Sequence, residues 1–239
     1  MKILAAECSA ITASCAIMDE GKIIASSFTN ERLTHSQTLL PMIKKMLDAS
    51  AVDIKDIDGF CISSGPGSFT GVRIGISAIK GMAAPQKKPC VGVSTLLAMA
   101  YNYVDTDCIA CCVMDARCSQ VYNAMFCIKN GKITRLCDDR ALLCEELAEE
   151  IKEKYADQKV IIVGDGTEVF APFVSMPNVT VSENDRRFQS ANGVALAAKE
   201  AFDKGDTLSP EALLPVYLRL PQAERELMKK QLNENKGEQ

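Results

Sequence analysis

Hydrophobic periodicity divides the 239-residue chain into two halves that follow the same order of secondary-structure elements. In each half, three short segments with strand-like patterns are followed by a helix and then by two strand–helix units. The sequence itself shows no repeat between the halves. Three antiparallel strands followed by strand–helix units favour a mixed sheet flanked by helices. The chain is therefore expected to form two such sheets.

The individual elements follow from local patterns, turn residues and helix caps. In the first half, strands are predicted at Ile3–Glu7, Ser14–Met18, Lys22–Phe28, Asp58–Ile62 and Pro89–Val93, and helices at Gln37–Asp48, Thr70–Ala83 and Ser94–Val104. In the second half, strands are predicted at Cys108–Met114, Gln120–Ile128, Lys132–Leu136, Lys159–Val163 and Val179–Val181, helices at Ala141–Tyr155, Thr167–Phe173 and Ser190–Lys204, and a further candidate strand at Leu214–Leu218. Residues 1–105 and 106–221 are predicted to be two domains, and 222–239 a charged tail.

A glycine-rich loop joins the strand at 58–62 to the following helix. Gly65, Gly67 and Gly71 bracket Pro66 and Ser68. Such a loop at a helix N-terminus can bind an anion through unpaired N–H groups. The spacing matches none of the phosphate-loop, dinucleotide-binding or nucleophile-elbow motifs. From spacing alone, a tight turn that binds nothing is favoured over an anion site.

Two helices of the first half carry apolar or small-residue faces. Between Leu39 and Leu47, apolar side chains cover an arc of about 160° at 100° per residue. Either the helix is buried in the core with its whole arc, or part of the arc is a surface for a partner. The pattern leaves both possibilities open. On the next helix, small residues form a stripe that allows another helix to approach closely, at Gly71, Gly75, Ala78 and Met82.

Charge and hydrophobicity exclude several classes of protein. The formal net charge is −4, and no basic stripe of the kind that binds nucleic acid is present. No uninterrupted apolar run reaches about 18 residues, and the N-terminus lacks a signal-peptide pattern. A cytoplasmic protein without a membrane span is therefore expected.

The chain contains eleven cysteines and a single histidine. Cys108-x-x-Cys111-Cys112 lies in a predicted strand, where positions i and i+3 face opposite sides of the sheet. The pattern therefore favours the interpretation of these cysteines as small buried hydrophobic residues over a zinc site. One histidine, His35, excludes a multi-histidine metal site, and nothing near it recommends a catalytic triad.

The duplicated order of elements resembles the actin, sugar-kinase and heat-shock ATPase group, whose halves are ribonuclease-H-like mixed sheets flanked by helices. Proteins of that group bind nucleotide between the halves. The resemblance implies a degenerate nucleotide cleft, whose residues here would be Glu7, Gly65, Gly67, Ser68, Gly164 and Asp165. Gly164-Asp165-Gly166 could equally be a simple turn after its strand.

Several motifs resemble those of the TsaB (YeaZ-like) family. They are His35-Ser36-Gln37 followed by Leu39-Leu40-Pro41, the stretch Ser63–Gly75 with GPGSFTG and Arg73, and Gly92–Leu96. The resemblance extends over nearly the whole chain through Asp115-Ala116-Arg117, Val121-Tyr122, Gly164–Gly166 and Pro215–Arg219.

This resemblance implies a role in making threonylcarbamoyladenosine next to the anticodon of tRNA. In that pathway, the related protein TsaD transfers the threonylcarbamoyl group, and TsaB proteins are its non-catalytic partners. TsaD holds a metal with an HxxxH motif, but this chain has Leu39 where the second histidine would fall. The metal site is therefore not carried over. The single histidine also argues against the glycoprotease label that such proteins have received.

The resemblance also implies partners and an interface. A heterodimer with TsaD is expected, with the small ATPase TsaE in the full assembly and a homodimer when TsaD is absent; tRNA would be contacted indirectly. No cofactor is expected, although ATP or ADP could lie at the partner contact. The predicted interface consists of Leu39, Leu40, Met42, Ile43, Met46, Leu47, Gly71, Val72, Gly75 and Ala78.

Two other functions remain open from the sequence. The first is an ATP-binding or ATP-hydrolysing enzyme that uses Glu7 and the Gly65–Gly71 loop; it rests on fold analogy alone. A metallopeptidase is a more distant alternative. Asp115 and Arg117 have no role assigned from the sequence beyond an ion pair in a hairpin.

Overall fold

Two mixed sheets carry the fold of this protein in the computed structural model, which describes residues 1–31 and 34–219. The first sheet has the strand order β3-β2-β1-β4-β5. Its first three strands are antiparallel, and β4 and β5 run parallel to β1. The bounds are β1 Lys2–Glu7, β2 Ala13–Asp19, β3 Lys22–Thr29, β4 Gly59–Gly65 and β5 Cys90–Ser94.

The second sheet repeats this arrangement. Its order is β8-β7-β6-β10-β11, with two antiparallel pairs on one side and parallel pairing on the other. The bounds are β6 Cys108–Arg117, β7 Gln120–Lys129, β8 Lys132–Arg135, β9 Arg140–Leu143, β10 Val160–Val163 and β11 Val179–Val181. The repeated order confirms the predicted duplicated ribonuclease-H-like fold class.

Seven α-helices connect these strands in the described part of the chain. They are α1 His35–Ser50, α2 Phe69–Ala83, α3 Thr95–Ala100, α4 Cys144–Lys154, α5 Thr167–Phe170, α6 Asn184–Arg187 and α7 Ala191–Lys204. Ser68, Ser94 and Ser190 each begin a helix by accepting a hydrogen bond from a backbone N–H three residues later. The caps predicted at Ser94 and Ser190 are therefore confirmed.

The helices form layers around the two sheets. α1 and α2 pack on the outer face of the first sheet, and α4 and α5 on the outer face of the second. Between the sheets, α7 covers the first sheet and α3 covers the second, and the two helices also pack against each other. Each half thus supplies the helix that covers the inner face of the other half's sheet.

This exchange bears on the predicted domains. The two sheets fall on either side of residue 105, but α7 belongs to the second half and buries Val194 and Ala198 against the first sheet. The domain boundaries remain a prediction. Residues 220–239, which include the end of the second predicted domain and the predicted tail, lie outside the described residues.

Two predicted elements differ from the structure. The helix predicted from Ala141 begins only at Cys144, because Arg140–Leu143 form β9 and pair with β7. The candidate strand at 214–218 is irregular; it lies in an extended C-terminal strap, residues 211–219. This strap crosses from one half to the other: Leu213 is buried in the core under α2, and Leu218 packs on the core of the second sheet.

The cysteines of β6 lie as the strand pattern predicts. Cys108 and Cys112 face the core under α3, whereas Cys111 faces the core under α4. Burial raises the pKa of the Cys108 thiol to about 11 and raises that of Cys111 further. These thiols are therefore neutral packing groups near neutral pH. Every helix within residues 1–31 and 34–219 is too short or too polar to cross a membrane.

Candidate functional site

The Gly65–Gly71 loop joins the end of β4 to the start of α2. Its polar groups bond within the chain: the N–H of Ser68 donates to the carbonyl oxygen of Ser9 at 2.7 Å, and the N–H of Gly71 donates to Ser68 Oγ at 3.2 Å. Backbone donors at a helix start are the groups that would otherwise hold a phosphate. The structure thus agrees with the tight-turn interpretation, in which these donors serve the fold.

Close approaches of other segments explain two glycines of the loop. A Cβ on Gly65 would overlap the carbonyl oxygen of Val216 in the C-terminal strap, and the φ of Gly65 is +128°. A Cβ on Gly67 would overlap the carbonyl oxygen of Ser9. Glycine at both positions therefore permits contacts within this chain, and a ligand is not needed to account for either.

Glu7 lies at the end of β1 and is completely buried. Its carboxylate accepts hydrogen bonds from the N–H of Ser9 at 2.5 Å, from Ser9 Oγ at 3.3 Å and from Ser63 Oγ at 3.4 Å. Burial nevertheless raises the pKa of Glu7 to about 7, because the charged form loses its hydration. This carboxyl group belongs to a closed network of the first half.

Asp165 approaches Glu7 from the second half. It follows β10 in a turn where Gly164, with φ of +119°, packs against Val113, and a Cβ there would overlap the carbonyl oxygen of Val113. Gln189 Nε2 donates to Asp165 Oδ1 at 2.5 Å. Burial raises the pKa of Asp165 to about 6, and the charge of Asp165 contributes to the raised pKa of Glu7.

Glu7 and the glycine-rich loop are thus both bonded to Ser9 in the first half, and Asp165 is bonded to Gln189 in the second. An ionised carboxylate at either position would disfavour a bound phosphate. Gln189 fills the space between the halves: it is fully buried, and its backbone oxygen accepts a hydrogen bond from Thr12 Oγ1 at 3.3 Å. Ala10, in the loop after β1, packs on the core of the second sheet.

The apolar arc of α1 mostly serves the protein's own core. Leu39, Ile43, Met46 and Leu47 pack between α1 and the first sheet, and Met42 is half-buried beside them. Leu40 is the exception, with 49% of its surface exposed. The first sheet covers the four buried residues, and the partner contact of the arc remains a prediction.

The small-residue stripe of α2 is also directed inward. A Cβ on Gly71 would overlap the carbonyl oxygen of Cys8, and a Cβ on Gly75 would lie 2.8 Å from both Cys8 Sγ and Ile62 Cδ1. Val72 is buried in the same core, and Ala78 is half-buried at its edge. The stripe thus lets α2 approach β4, and the docking role of Gly71 and Gly75 remains a prediction to which this inward orientation lends no support.

What α1 and α2 leave open is a shallow apolar groove of about 530 Å³ beside Leu40. Its apolar lining also includes Ile43, Leu47, Val52, Ile54 and Met82. Apolar surface of this kind on a helix pair is typical of a protein-binding face. Of the predicted interface residues, Leu40 is exposed and Met42 and Ala78 are half-buried, and the partner contact remains a prediction.

His35 and Leu39, which stand at the two positions of the metal motif considered from the sequence, make contacts within the chain. His35 Nε2 donates to the carbonyl oxygen of Ala10 at 2.6 Å, and Leu39 lies in the core. Among residues 1–31 and 34–219, no group of three or more His, Cys, Asp or Glu side chains is placed to hold a metal ion. Asp115 and Arg117 form an ion pair of 3.2 Å at the end of β6, next to the turn into β7.

Sequence reasoning missed two contacts that organise this region. Nothing in the sequence singles out Gln189 except its position directly before Ser190, the residue that caps α7. Arg73 and Tyr217 lie 144 positions apart, yet Arg73 Nε donates to Tyr217 Oη at 2.6 Å. Arg73 and Tyr217 each lie in a motif that carries the family resemblance. That shared membership is the only sign in the sequence that the two residues could be related.

Comparisons with known proteins agree with this architecture. A family model described as TsaD, tRNA N6-adenosine threonylcarbamoyltransferase, matches residues 22–227. The chain is 30% identical over 223 residues to the tRNA threonylcarbamoyladenosine biosynthesis protein TsaB of Escherichia coli (strain K12), a match that covers 92% of this chain and 95% of that protein. The TsaB protein of Bacillus subtilis (strain 168) is 28% identical over 238 residues, covering 97% of this chain and 100% of that protein.

A solved structure gives the same answer. YeaZ from Pseudomonas aeruginosa superposes with a TM-score of 0.80 at 26% identity, covering 91% of this chain and 99% of that one. The near full-length matches to TsaB proteins and the shared YeaZ architecture show that this chain belongs to the TsaB (YeaZ-like) family.

Proposed function

We propose that this chain acts in the biosynthesis of threonylcarbamoyladenosine in tRNA as a non-catalytic partner of a TsaD-type threonylcarbamoyltransferase. The relatives that match it along most of their length carry the name tRNA threonylcarbamoyladenosine biosynthesis protein TsaB. Its role in the complex is to stabilise or activate TsaD through the exposed side of α1 and α2. The proposal includes a cytoplasmic location, a homodimer when TsaD is absent and TsaE in the full assembly.

One observation carries the non-catalytic part of this proposal. The loop after β1 packs against the glycine-rich loop, where Ser68 bonds to Ser9, and the carboxyl group of Glu7 beside it is fully buried. A bound nucleotide would have to displace these contacts and face the charge of Glu7 or Asp165. An ATP-hydrolysing enzyme is therefore the less favoured function, and any ATP or ADP belongs at the contact with TsaD.

A reconstitution tests the proposal. Purified TsaD, tRNA and threonylcarbamoyl-adenylate are combined with and without this chain, and modified adenosine is counted by mass spectrometry. We expect product only when both proteins are present. Product from this chain alone, or ATP hydrolysis by it in the absence of TsaD, would assign the chemistry to its own cleft and refute the proposal.

A further inference from the structure

The C-terminal strap runs beside α2 and is bonded to it at both ends. Lys80 Nζ donates to the backbone oxygen of Glu211 at 3.1 Å, and Arg73 Nε donates to Tyr217 Oη at 2.6 Å. Between these points, the N–H of Val216 donates to the oxygen of Ser64 at 2.8 Å. The surface beside α2 is therefore formed by α1 on one side and by the strap on the other.

Apolar side chains of the strap point away from the protein. Leu213 is fully buried, but the exposed fractions of Leu214, Val216 and Tyr217 are 64%, 51% and 39%. Leu214 is the most exposed large hydrophobic side chain in the described part of the sequence. Scattered exposed hydrophobics need no explanation, whereas three within four residues beside an apolar helix pair mark a contact surface.

An arginine and two aromatic rings are already ordered at one end of this surface. Phe69 and Tyr217 stack with ring centroids 4.6 Å apart at 23°, and the Arg73 guanidinium lies 5.4 Å from the Tyr217 ring and 6.0 Å from that of Phe69. Tyrosine and arginine are enriched among residues that dominate binding energy at interfaces. Their order before binding lowers the entropic cost of association.

The charge of this face indicates the chemistry of its partner. The sequences of α1 and α2 hold four cationic side chains and one carboxylate, although the whole chain has a net charge of −4. The cations are Lys44, Lys45, Arg73 and Lys80, and the carboxylate is Asp48. A complementary partner therefore presents an apolar surface rimmed by carboxylates.

We propose that Leu214, Val216 and Tyr217 of the strap, with Arg73, extend the docking surface for the TsaD-type partner. This inference rests on the proposed function. The TsaD family model matches the segment from 22 to 227, which includes α1, α2 and the strap. Related chains that pair through equivalent surfaces bring corresponding elements together about a pseudo-two-fold axis. The strap is therefore expected to contact the segment of TsaD that corresponds to α1, α2 and the strap.

Binding of purified TsaD to variants of the full chain tests the strap. Leu214→Asp places a charge in the proposed contact, and Val216→Asp is a second variant with an exposed side chain. Leu136→Asp is the matched control, because Leu136 is 41% exposed and lies after β8 in the second half. We expect Leu214→Asp to weaken binding by about tenfold or more, as for a residue at an interface centre. The control should change it by less than about twofold.

The outcomes separate the two proposals. If both strap variants have wild-type thermal stability and bind TsaD as tightly as the wild type, the strap is not part of the interface and this inference is wrong. If instead they change only self-association of the chain, a second copy is the occupant and the inference is again wrong. If the wild-type chain itself does not bind TsaD, the proposed function fails first. Arg73→Glu should weaken binding, and the remaining affinity should depend less on salt.

Discussion

Ser68 and Ser9 are joined by a backbone hydrogen bond of 2.7 Å that ties the start of α2 to the loop between β1 and β2. The two loops are therefore in contact at this point, and a Cβ on Gly67 would overlap the carbonyl oxygen of Ser9. This contact explains why a glycine-rich loop before a helix is a structural turn in this protein.

Two glycines of α2 should respond oppositely to alanine. Gly75→Ala would place a Cβ 2.8 Å from Cys8 Sγ and from Ile62 Cδ1, whereas no atom lies within 4 Å of a Cβ at Gly81. We expect Gly75→Ala to lower the free energy of unfolding by about 1–3 kcal/mol through overpacking. Gly81→Ala should raise it by about 1 kcal/mol through helix propensity. Urea denaturation measures both, and equal stabilisation would contradict the inward orientation of the stripe.

Adjacent leucines on α1 should separate folding from binding. Leu39 is 1% exposed and Leu40 is 49% exposed. Leu39→Ala should cost about 2–5 kcal/mol of stability by leaving a cavity. Leu40→Ala should change stability by less than about 0.5 kcal/mol, whereas Leu40→Asp should reduce co-purification with TsaD. Unfolding curves and pull-down yields measure the two effects. Full retention of TsaD by Leu40→Asp would remove α1 from the proposed interface.

The buried Glu7 should make stability depend on pH. Its folded pKa of about 7 lies above the ordinary value of 4.5 for a glutamate side chain, so the folded state holds the proton more tightly than the unfolded state. The resulting stabilisation is complete below about pH 4.5 and is lost as pH rises through about 7. Asp165, whose pKa is raised to about 6, acts in the same direction.

Glu7→Gln should remove most of this dependence, because an amide does not titrate. At pH 8 the variant should be more stable than the wild type by about 2–3 kcal/mol, and the difference should disappear near pH 4. Glu153→Gln, at an exposed position on α4, is the control and should leave the profile unchanged. Chemical denaturation at a series of pH values measures the profile. Wild-type stability that rises between pH 5 and 8 relative to Glu7→Gln would contradict the buried, protonated state.

Gln189 should hold the turn after β10 against the segment before α7. Gln189→Leu keeps the volume but removes the hydrogen bond to Asp165 Oδ1, so a half-buried carboxyl group loses its partner. We expect a loss of about 1–3 kcal/mol in stability. Amide hydrogen exchange should increase in the turn at 164–166 and in the loop after β1, with little change in α4. An exchange pattern identical to that of the wild type would show that this contact does not hold the turn in place.

Local patterns in the sequence were sufficient for most of the elements. Ser94 and Ser190 are the right residue type at the right place to begin α3 and α7, and Asn130-Gly131 forms the β7–β8 turn with positive φ at both positions. β9 was missed because Arg140–Leu143 is short and leads directly into the apolar pattern of α4. Its pairing with β7 is a tertiary contact that outweighs the local preference for helix.

The sequence alone determined the order of the strands and helices and the caps and turns between them, and the family followed from its motifs. Those features depend on interactions between residues close in the chain. The tertiary structure decided what covers each apolar face. The first sheet packs against Leu39 and Gly75, whereas Leu40 and Leu214 remain exposed. It also decided that Gln189 bonds to Asp165 and that Ser68 bonds to Ser9. Periodicity shows that a side chain avoids water, but only the packing of distant segments determines which surface excludes it.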